Sequence, residues 1–225
     1  MGRKGVIQFW DRYAKSFTGF YSSRSIVDLL FRQGIIRREE KALSLLGGRP
    51  GATVLDLGCG PGKQVIKAVQ NGASLAVGVD AAPEMLQFAR QEAKTAGVEN
   101  EVEFHLSDIF SYQDDRVFDI IWALGVFDYV PDPDRLVRIM AKLSNGIVAA
   151  SFRRIWVFRF PFRKLVYCLR KSPAYFYSAG RVRAIFERNG LTDVKVEVID
   201  RALYFVTGKV GKQPSNPGQP ASAGN

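Results

Sequence analysis

The chain has 225 residues, 47% of them hydrophobic, and a formal net charge of +10 at pH 7. This length and composition predict one globular domain with additions, and they exclude an extensively disordered chain. No uncharged apolar run reaches about 18 residues, so we expect neither a transmembrane helix nor a secretory signal. The positive charge favours an anionic partner, which leaves an acidic substrate, an anionic membrane surface and nucleic acid open.

The two cysteines and the single histidine limit the chemistry that the chain can perform. Because Cys59 lies within a glycine-rich segment, we expect no structural disulfide with Cys168, and a reducing, cytoplasmic location. His105 lies within a predicted strand, where a structural role is the simpler interpretation. Too few ligands are present for a zinc cluster, so no metal site is predicted.

In chain order, the pattern begins with helices and continues as an alternation of strands and helices. Residues 1–46 carry apolar residues at helical spacing and predict a helical cap. Strands follow at ATVLDLG, SLAVGVD, VEFHLSD, FDIIWALG and IVAASFR, with helices predicted between them over GKQVIKAVQNG, PEMLQFARQEAKTAG and PDRLVRIMAKLSNG. Another helix is predicted after Ser178, its expected cap, and two antiparallel strands come last. This alternation predicts a parallel sheet covered on both faces. Residues 211–225, rich in Pro, Gly, Ser and Gln, predict a disordered tail.

The loop after the first strand is the strongest functional signal. Residues 56–62 read DLGCGPG, and ligands of such sheets bind beyond the carboxyl ends of the strands. The glycines let the backbone come close to a ligand, and the next helix offers N–H groups to an anion. The spacing G-x-G-x-G differs from that of dinucleotide sites, and Gln64 after Lys63 excludes a P-loop. Asp56 would repel a pyrophosphate and suits a ligand that carries an ammonium group.

Two further strands end in aspartates. Asp80 ends the second strand, where a carboxylate can accept hydrogen bonds from both hydroxyls of a ribose. Asp108 follows the third strand, where a carboxylate can meet an adenine amino group with Ile109 against the ring. One such aspartate alone is commonly a strand-end cap. One at each successive strand end indicates a nucleoside with an amino-acid tail.

Residues 56–62, together with Asp80 and Asp108, resemble the class I S-adenosylmethionine-dependent methyltransferases, and the resemblance extends over roughly residues 9–210. It implies an α/β, Rossmann-like, doubly wound sheet of seven strands, mainly parallel with the last strand antiparallel, in a domain at residues 47–210. It also implies S-adenosylmethionine as cofactor and S-adenosylhomocysteine as product. The cofactor-binding residues expected from the strand ends and the resemblance are Tyr13, Asp56, Gly58, Cys59, Gly60, Gly62, Asp80, Ala81, Asp108, Ile109, Ala123 and Leu124.

The N-terminal segment FWDRYAKSF looks like the cofactor-covering helix of small-molecule methyltransferases in this class. Tyr13 is the candidate there to reach the carboxylate of the cofactor. Simple packing of Tyr13 on the core is an equally open alternative.

The segment ALGVFDYVPDP after the fourth strand is expected to border the transfer site. Amino-methyltransferases of DNA and RNA place a D/N/S-P-P-Y/F/W group there, whereas this chain has no adjacent prolines. Methylation of a cytosine carbon requires a nucleophilic cysteine near this position, and neither Cys59 nor Cys168 fits. These differences favour transfer to oxygen, nitrogen or carbon of a small or lipid-like molecule. Asp128 is the candidate general base or substrate anchor, and Tyr129 bounds the pocket. The alternative is that Asp128 caps the next turn and that Tyr129 packs in the core.

A basic, aromatic insert follows the fifth strand. Residues 152–171 hold seven Arg or Lys, six aromatic residues and no acid, and the insert extends to residue 177. It suits a pocket for an acidic or aromatic acceptor, an anionic membrane surface, or stacking with nucleic acid, and it is alternatively a packed lid with solvated charges. Its layout is weakly similar to that of magnesium-protoporphyrin O-methyltransferases. The predicted substrate-binding residues are Phe127, Arg153, Arg154, Tyr175 and Tyr177.

The sequence therefore predicts a cytoplasmic S-adenosylmethionine-dependent methyltransferase for a small-molecule or lipid-like acceptor that is acidic or aromatic, with peripheral membrane contact left open. Methylation of nucleic acid, in particular RNA, ranks second, and a non-catalytic binding protein that retains the fold ranks third. The acceptor, the atom methylated and the oligomeric state stay open.

Overall fold

The computed structural model describes residues 26–155 and 175–211, with side chains from residue 33 onward. Tyr13, most of the predicted cap and tail, and residues 156–174 of the predicted insert lie outside the described residues.

Five helices and seven strands occupy the described residues. The helices are α1 (Ile26–Ser44), α2 (Lys63–Gln70), α3 (Pro83–Thr95), α4 (Pro133–Leu143) and α5 (Ala179–Arg188). The strands are β1 (Thr53–Leu57), β2 (Leu75–Asp80), β3 (Val102–Leu106), β4 (Phe118–Ala123), β5 (Ser144–Arg153), β6 (Leu191–Asp200) and β7 (Leu203–Val210). None of the helices in these parts of the chain is long and apolar enough to cross a membrane.

The strands form one sheet in the order β3-β2-β1-β4-β5-β7-β6. Neighbours among β1 to β5 are parallel, and β7 is antiparallel to both β5 and β6. The predicted doubly wound, mainly parallel sheet with an antiparallel last strand is confirmed. The chain leaves β1 toward β2 on one side and enters β4 on the other side. The loops after β1 and β4 therefore lie at the point where the strand order reverses, which is where ligands of such sheets bind.

Both faces of the sheet are covered by helices, because successive side chains of a strand point to opposite faces. Leu55 and Leu57 of β1 belong to a core cluster that also contains residues of α4 and α5. Val54 packs on the opposite face, in a cluster with residues of α1, α2 and α3. Asp56 shares this second face with Val54, and it is one of few polar side chains in the described core. A buried carboxylate there carries a desolvation cost, which points to a role in binding.

The local sequence sets most element boundaries. The predicted cap of α5 is confirmed, since the Ser178 side chain accepts a hydrogen bond from the Arg181 N–H at 3.3 Å. The helix predicted over PDRLVRIMAKLSNG is too long, because α4 ends at Leu143. Ser144 already pairs with Phe118 of β4, and its hydroxyl donates to the Phe118 carbonyl at 3.2 Å. The chain thus passes from α4 into β5 without a loop.

Candidate functional site

The glycine loop between β1 and α2 adopts a conformation that favours glycine. Gly58, Gly60 and Gly62 have φ angles of 81°, 52° and 72°. The Gly58 N–H donates to the Val79 carbonyl at 2.7 Å, and the Cys59 N–H donates to the same carbonyl at 3.1 Å. These bonds hold the loop against the end of β2.

The three glycines differ in what lies beside them. A Cβ atom on Gly58 would overlap the Val126 side chain, and one on Gly62 would lie 2.7 Å from the Ala89 Cβ. A Cβ atom on Gly60 would meet no atom of the described residues within 4 Å. Gly58 and Gly62 are therefore required for packing, whereas Gly60 borders open space that a ligand can fill.

Asp80 connects the end of β2 to this loop. Its Oδ2 accepts a hydrogen bond from the Gly60 N–H at 2.8 Å, and its Oδ1 accepts one from the Ala82 N–H at 2.9 Å. These two bonds fix the orientation of the carboxylate beside the open space at Gly60. A carboxylate held in this orientation at the end of a strand suits a group with two hydroxyls.

Asp56 is a buried carboxyl group directly behind the loop. It is 3% exposed, and its Oδ1 has no hydrogen-bond partner among the described residues. Burial raises the pKa of Asp56 to about 7 and the charge of Asp80 raises it further, whereas the charge of Arg38 opposes both effects. A cationic ligand beside such a buried group would stabilise its ionised form.

Three polar residues around Asp56 were missed by sequence reasoning. Trp122 is paired in register with Asp56 on β4, and its buried indole N–H has no hydrogen-bond partner within the described ranges. Gln64, on α2, is buried with both side-chain polar atoms unpartnered there. Because Gln64 and Trp122 look like ordinary positions of an amphipathic helix and a buried strand, the sequence gives no signal for them.

Arg38 is the third missed residue, and it extends from α1 toward the site. Its guanidinium lies against Gly125, in the loop after β4, so closely that a Cβ atom on Gly125 would overlap it. The positive charge of Arg38 lowers the pKa of both Asp56 and Asp128, although burial has the larger effect on each. The sequence shows only a charged run in α1, which is typical of a solvent-exposed helix face.

The other predicted cofactor residues lie at the same edge of the sheet. The Ser107 N–H donates to the Asp80 carbonyl at 3.0 Å, which joins the loops after β2 and β3. Asp108 Oδ1 accepts from the Phe110 N–H at 2.8 Å, so this aspartate also stabilises its own turn. Of the remaining predicted cofactor residues, Ala81, Ile109 and Leu124 are partly exposed, whereas Ala123 and Cys59 are buried.

Cys59 and His105 are two residues with reactive side chains that the sequence singles out. Burial raises the pKa of the free Cys59 thiol well above its ordinary value, so the thiol stays protonated near neutral pH. His105 lies on β3 with its Nε2 3.0 Å from Glu103 Oε2. Among the described residues no cluster of three or more possible metal ligands occurs.

The structure places Asp128 in an ion pair. Its Oδ2 accepts a hydrogen bond from Arg153 Nε at 2.5 Å, and the side chain of Asp128 is 5% exposed. Burial raises the pKa of Asp128, and the charge of Arg153 opposes this effect. Tyr129 is partly exposed, and its N–H donates to the Val126 carbonyl at 3.0 Å in a turn. The site thus brings together Asp128 and Arg153, to which the sequence assigns separate roles.

The remaining predicted substrate residues divide between surface and core. Arg154 stacks on the Tyr204 ring at 5.1 Å and donates to the Arg201 carbonyl at 3.3 Å. Tyr175 is partly exposed. Phe127 and Tyr177 are 0% and 1% exposed, so in this arrangement neither side chain is open to an acceptor.

Comparisons with known proteins agree with this geometry. Residues 49–159 match the family described as "Methyltransferase domain". Methyltransferase GfsG of Streptomyces halstedii is 32% identical over 127 residues, 56% of this chain and 45% of the relative. Ubiquinone biosynthesis O-methyltransferase of Neisseria meningitidis is 33% identical over 104 residues, 45% of this chain and 44% of the relative. Each match therefore spans less than half of the relative's length.

A solved structure shows the same fold over nearly the whole chain. The magnesium protoporphyrin IX methyltransferase of Synechocystis PCC 6803, with bound S-adenosylmethionine, superposes with a TM-score of 0.74 at 18% identity. The superposition covers 94% of this chain and 98% of that structure.

Proposed function

We propose that the chain is a class I S-adenosylmethionine-dependent methyltransferase and that it transfers a methyl group from this cofactor to a small-molecule or lipid-like acceptor. One observation carries the proposal: Asp80 Oδ2 accepts a hydrogen bond from the N–H of Gly60, which borders open space among the described residues, and the buried Asp56 lies near the end of the adjacent strand β1. This arrangement lies where the strand order reverses, and it is complementary to a nucleoside with a cationic amino-acid tail.

The residues present fit the cofactor. Asp56, with a buried oxygen that lacks a partner in the described structure, would face the ammonium group. Asp80 would hold the ribose hydroxyls, and Asp108 with Ile109 would frame the adenine. We propose Arg38, together with Tyr13, as the group that binds the carboxylate of the amino-acid tail. When bound, the cofactor supplies a methyl group activated by a sulfonium, and the protein contributes orientation and exclusion of water.

We propose that the acceptor carries an acidic or aromatic group. The relatives support a small acceptor, since one of them is named as an O-methyltransferase of ubiquinone biosynthesis. The basic, aromatic composition of residues 152–171 supports an acidic group on it. An acidic acceptor is already ionised near neutral pH, so transfer to it requires no general base from the protein.

The test is a methyl-transfer screen with isotopically labelled S-adenosylmethionine against lipid, metabolite and nucleic-acid fractions of a cell extract. We expect label in the lipid or metabolite fraction. Label that enters RNA and is lost at higher salt would instead favour the nucleic-acid alternative. A protein that fails to bind the cofactor in calorimetry would contradict the proposed function as a whole.

A pair of glycine variants tests the open space at the loop. We expect Gly60→Ala to fold, with a loss of roughly 1–2 kcal/mol for the left-handed backbone, and to bind the cofactor at least about tenfold more weakly because the methyl group enters the ligand space. Gly62→Ala is the matched control, since its Cβ would collide with Ala89 inside the protein. It is expected to lower the melting temperature more than Gly60→Ala does. Thermal unfolding and calorimetry measure both effects, and full cofactor affinity in Gly60→Ala would place the ligand elsewhere.

A further inference from the structure

We propose that Asp128 is a positioning residue that fixes the two ends of residues 156–174 beside the site, and that it does not act as the general base. The proposal rests on the proposed function, because it concerns the acceptor side of the same site. It replaces the catalytic role that the sequence suggested for this residue.

The side chain of Asp128 holds the chain where it leads from β5 into residues 156–174. Arg153 is the last residue of β5, and its Nε donates to Asp128 Oδ2 at 2.5 Å. The two residues are 25 positions apart in the sequence, so the ion pair joins the loop after β4 to the end of β5. Hydrogen bonds between charged groups are roughly twice as strong as neutral ones, and burial of the Asp128 side chain reduces the screening of this pair by solvent.

The backbone carbonyls of Phe127 and Asp128 hold the chain where it returns from residues 156–174. The Tyr175 N–H donates to the Asp128 carbonyl at 2.9 Å, and the Tyr177 hydroxyl donates to the Phe127 carbonyl at 3.2 Å. Tyr177 packs in the core against Phe152, with ring centroids 5.0 Å apart. Tyr175 and Tyr177 are therefore anchored to the loop after β4, which also carries the Asp128 side chain.

The two ends are also bonded to each other. The Tyr177 N–H donates to the Arg153 carbonyl at 2.8 Å, and the Ile155 N–H donates to the Tyr177 carbonyl at 3.0 Å. Residues 153–155 and 175–177 thus form a paired stem. Asp128 contacts both of its sides, Arg153 through its carboxylate and Tyr175 through its carbonyl.

The same contacts keep both carboxylate oxygens of Asp128 away from an acceptor. Oδ2 is already occupied by the hydrogen bond from the Arg153 guanidinium. Oδ1 has no hydrogen-bond partner among the described residues, but less than 1 Å² of this atom is accessible. An acceptor could therefore reach it only if the stem moved, whereas a general base must lie within hydrogen-bond distance of the proton that it removes.

The test compares Asp128→Asn, Arg153→Gln and the double variant with wild type. The first measurement is the rate of trypsin cleavage after the Arg and Lys residues of 156–174, with fragments identified by mass spectrometry. We expect each single variant to be cleaved about tenfold faster than wild type, and the double variant no faster than the singles, because both remove one interaction. Calorimetry is expected to give cofactor affinities within about twofold of wild type. Asp134→Asn and Arg188→Gln, which break an exposed ion pair between α4 and α5, are the matched controls and leave cleavage unchanged.

The second measurement separates positioning from catalysis. Initial rates with labelled S-adenosylmethionine are followed against increasing amounts of the extract fraction that takes up label. A positioning role raises the apparent KM in Asp128→Asn by about tenfold and leaves the pH dependence of kcat unchanged. A fall of kcat by about a hundredfold or more, with unchanged KM and unchanged cleavage, would overturn the proposal. If no fraction takes up label, the proposed function fails, while the cleavage rates and their non-additivity still decide the role of Asp128.

Discussion

Replacing Asp56 with asparagine is expected to remove most of the pH dependence of S-adenosylmethionine binding between about pH 6 and about pH 8. In the wild-type protein, burial holds the pKa of Asp56 near 7. The ammonium group of the cofactor favours the ionised carboxylate, so binding below this pKa must displace a proton. Affinity therefore rises by about tenfold per pH unit below the pKa and levels off above it. The asparagine side chain is neutral throughout, so the affinity of Asp56→Asn should resemble that of the wild type at low pH.

Proton release measures this linkage directly. Calorimetry at about pH 6.5 in two buffers of different ionisation enthalpy is expected to show that binding to wild type releases most of one proton. The asparagine variant should release far less. Any titration of the cofactor itself contributes equally to both proteins, so the difference between them isolates Asp56. Equal pH profiles for the two proteins would remove Asp56 from the ammonium site.

Asp56 also affects the pH dependence of the free energy of unfolding. The direction of its pKa shift fixes the sign of this effect. The native protein keeps a proton on Asp56 up to a pKa of about 7, whereas the unfolded chain releases it near 3.8. Between these values the native state binds more protons, so the free energy of unfolding falls as the pH rises. We expect this fall, measured by urea unfolding without cofactor, to be smaller in Asp56→Asn. Asp119→Asn is the control, since Asp119 lies at the opposite end of the strands and accepts its bonds from Thr53.

The sequence could indicate the cofactor side of the site because its determinants are local. Gly58 and Asp80 each follow an apolar strand directly, and the parallel arrangement brings the ends of neighbouring strands together. The alternation of strands and helices predicted the parallel sheet, whereas the seven strands with an antiparallel last strand were expected from the resemblance. Even the cap at Ser178 depends on residues within one helical turn.

The acceptor side depends on contacts between distant elements, which no local pattern encodes. Arg38 reaches the site because α1 packs across the sheet beside Gly125. The sequence assigns Asp128 and Arg153 each to an acceptor, yet the fold pairs them with each other. Tyr177 looks like a pocket residue because it belongs to an aromatic run, but it fills the core. Composition alone does not distinguish charged residues that bind a ligand from charged residues that form ion pairs within the fold.

The second large effect is expected from Asp80→Asn, which should weaken S-adenosylmethionine binding by roughly ten- to a hundredfold. Both carboxylate oxygens of Asp80 accept backbone N–H groups, from Gly60 and Ala82. In an asparagine, whichever way the amide is turned, its NH₂ group faces one of these donors. The variant therefore loses a bond that fixes the loop and also the negative charge that would attract the ribose hydroxyls.

Asp119→Asn again supplies the matched comparison for this prediction. Asp119 Oδ2 accepts hydrogen bonds from the Thr53 N–H at 2.8 Å and from the Thr53 hydroxyl at 2.9 Å, at the amino ends of β1 and β4. The same substitution there is expected to lower the melting temperature and to leave the cofactor affinity within about twofold of wild type. Calorimetry on both variants, with thermal unfolding as the measure of stability, separates loss of binding from loss of folding. Equal losses of affinity in the two variants would mean that Asp80 acts only through stability, and the ribose assignment would then be wrong.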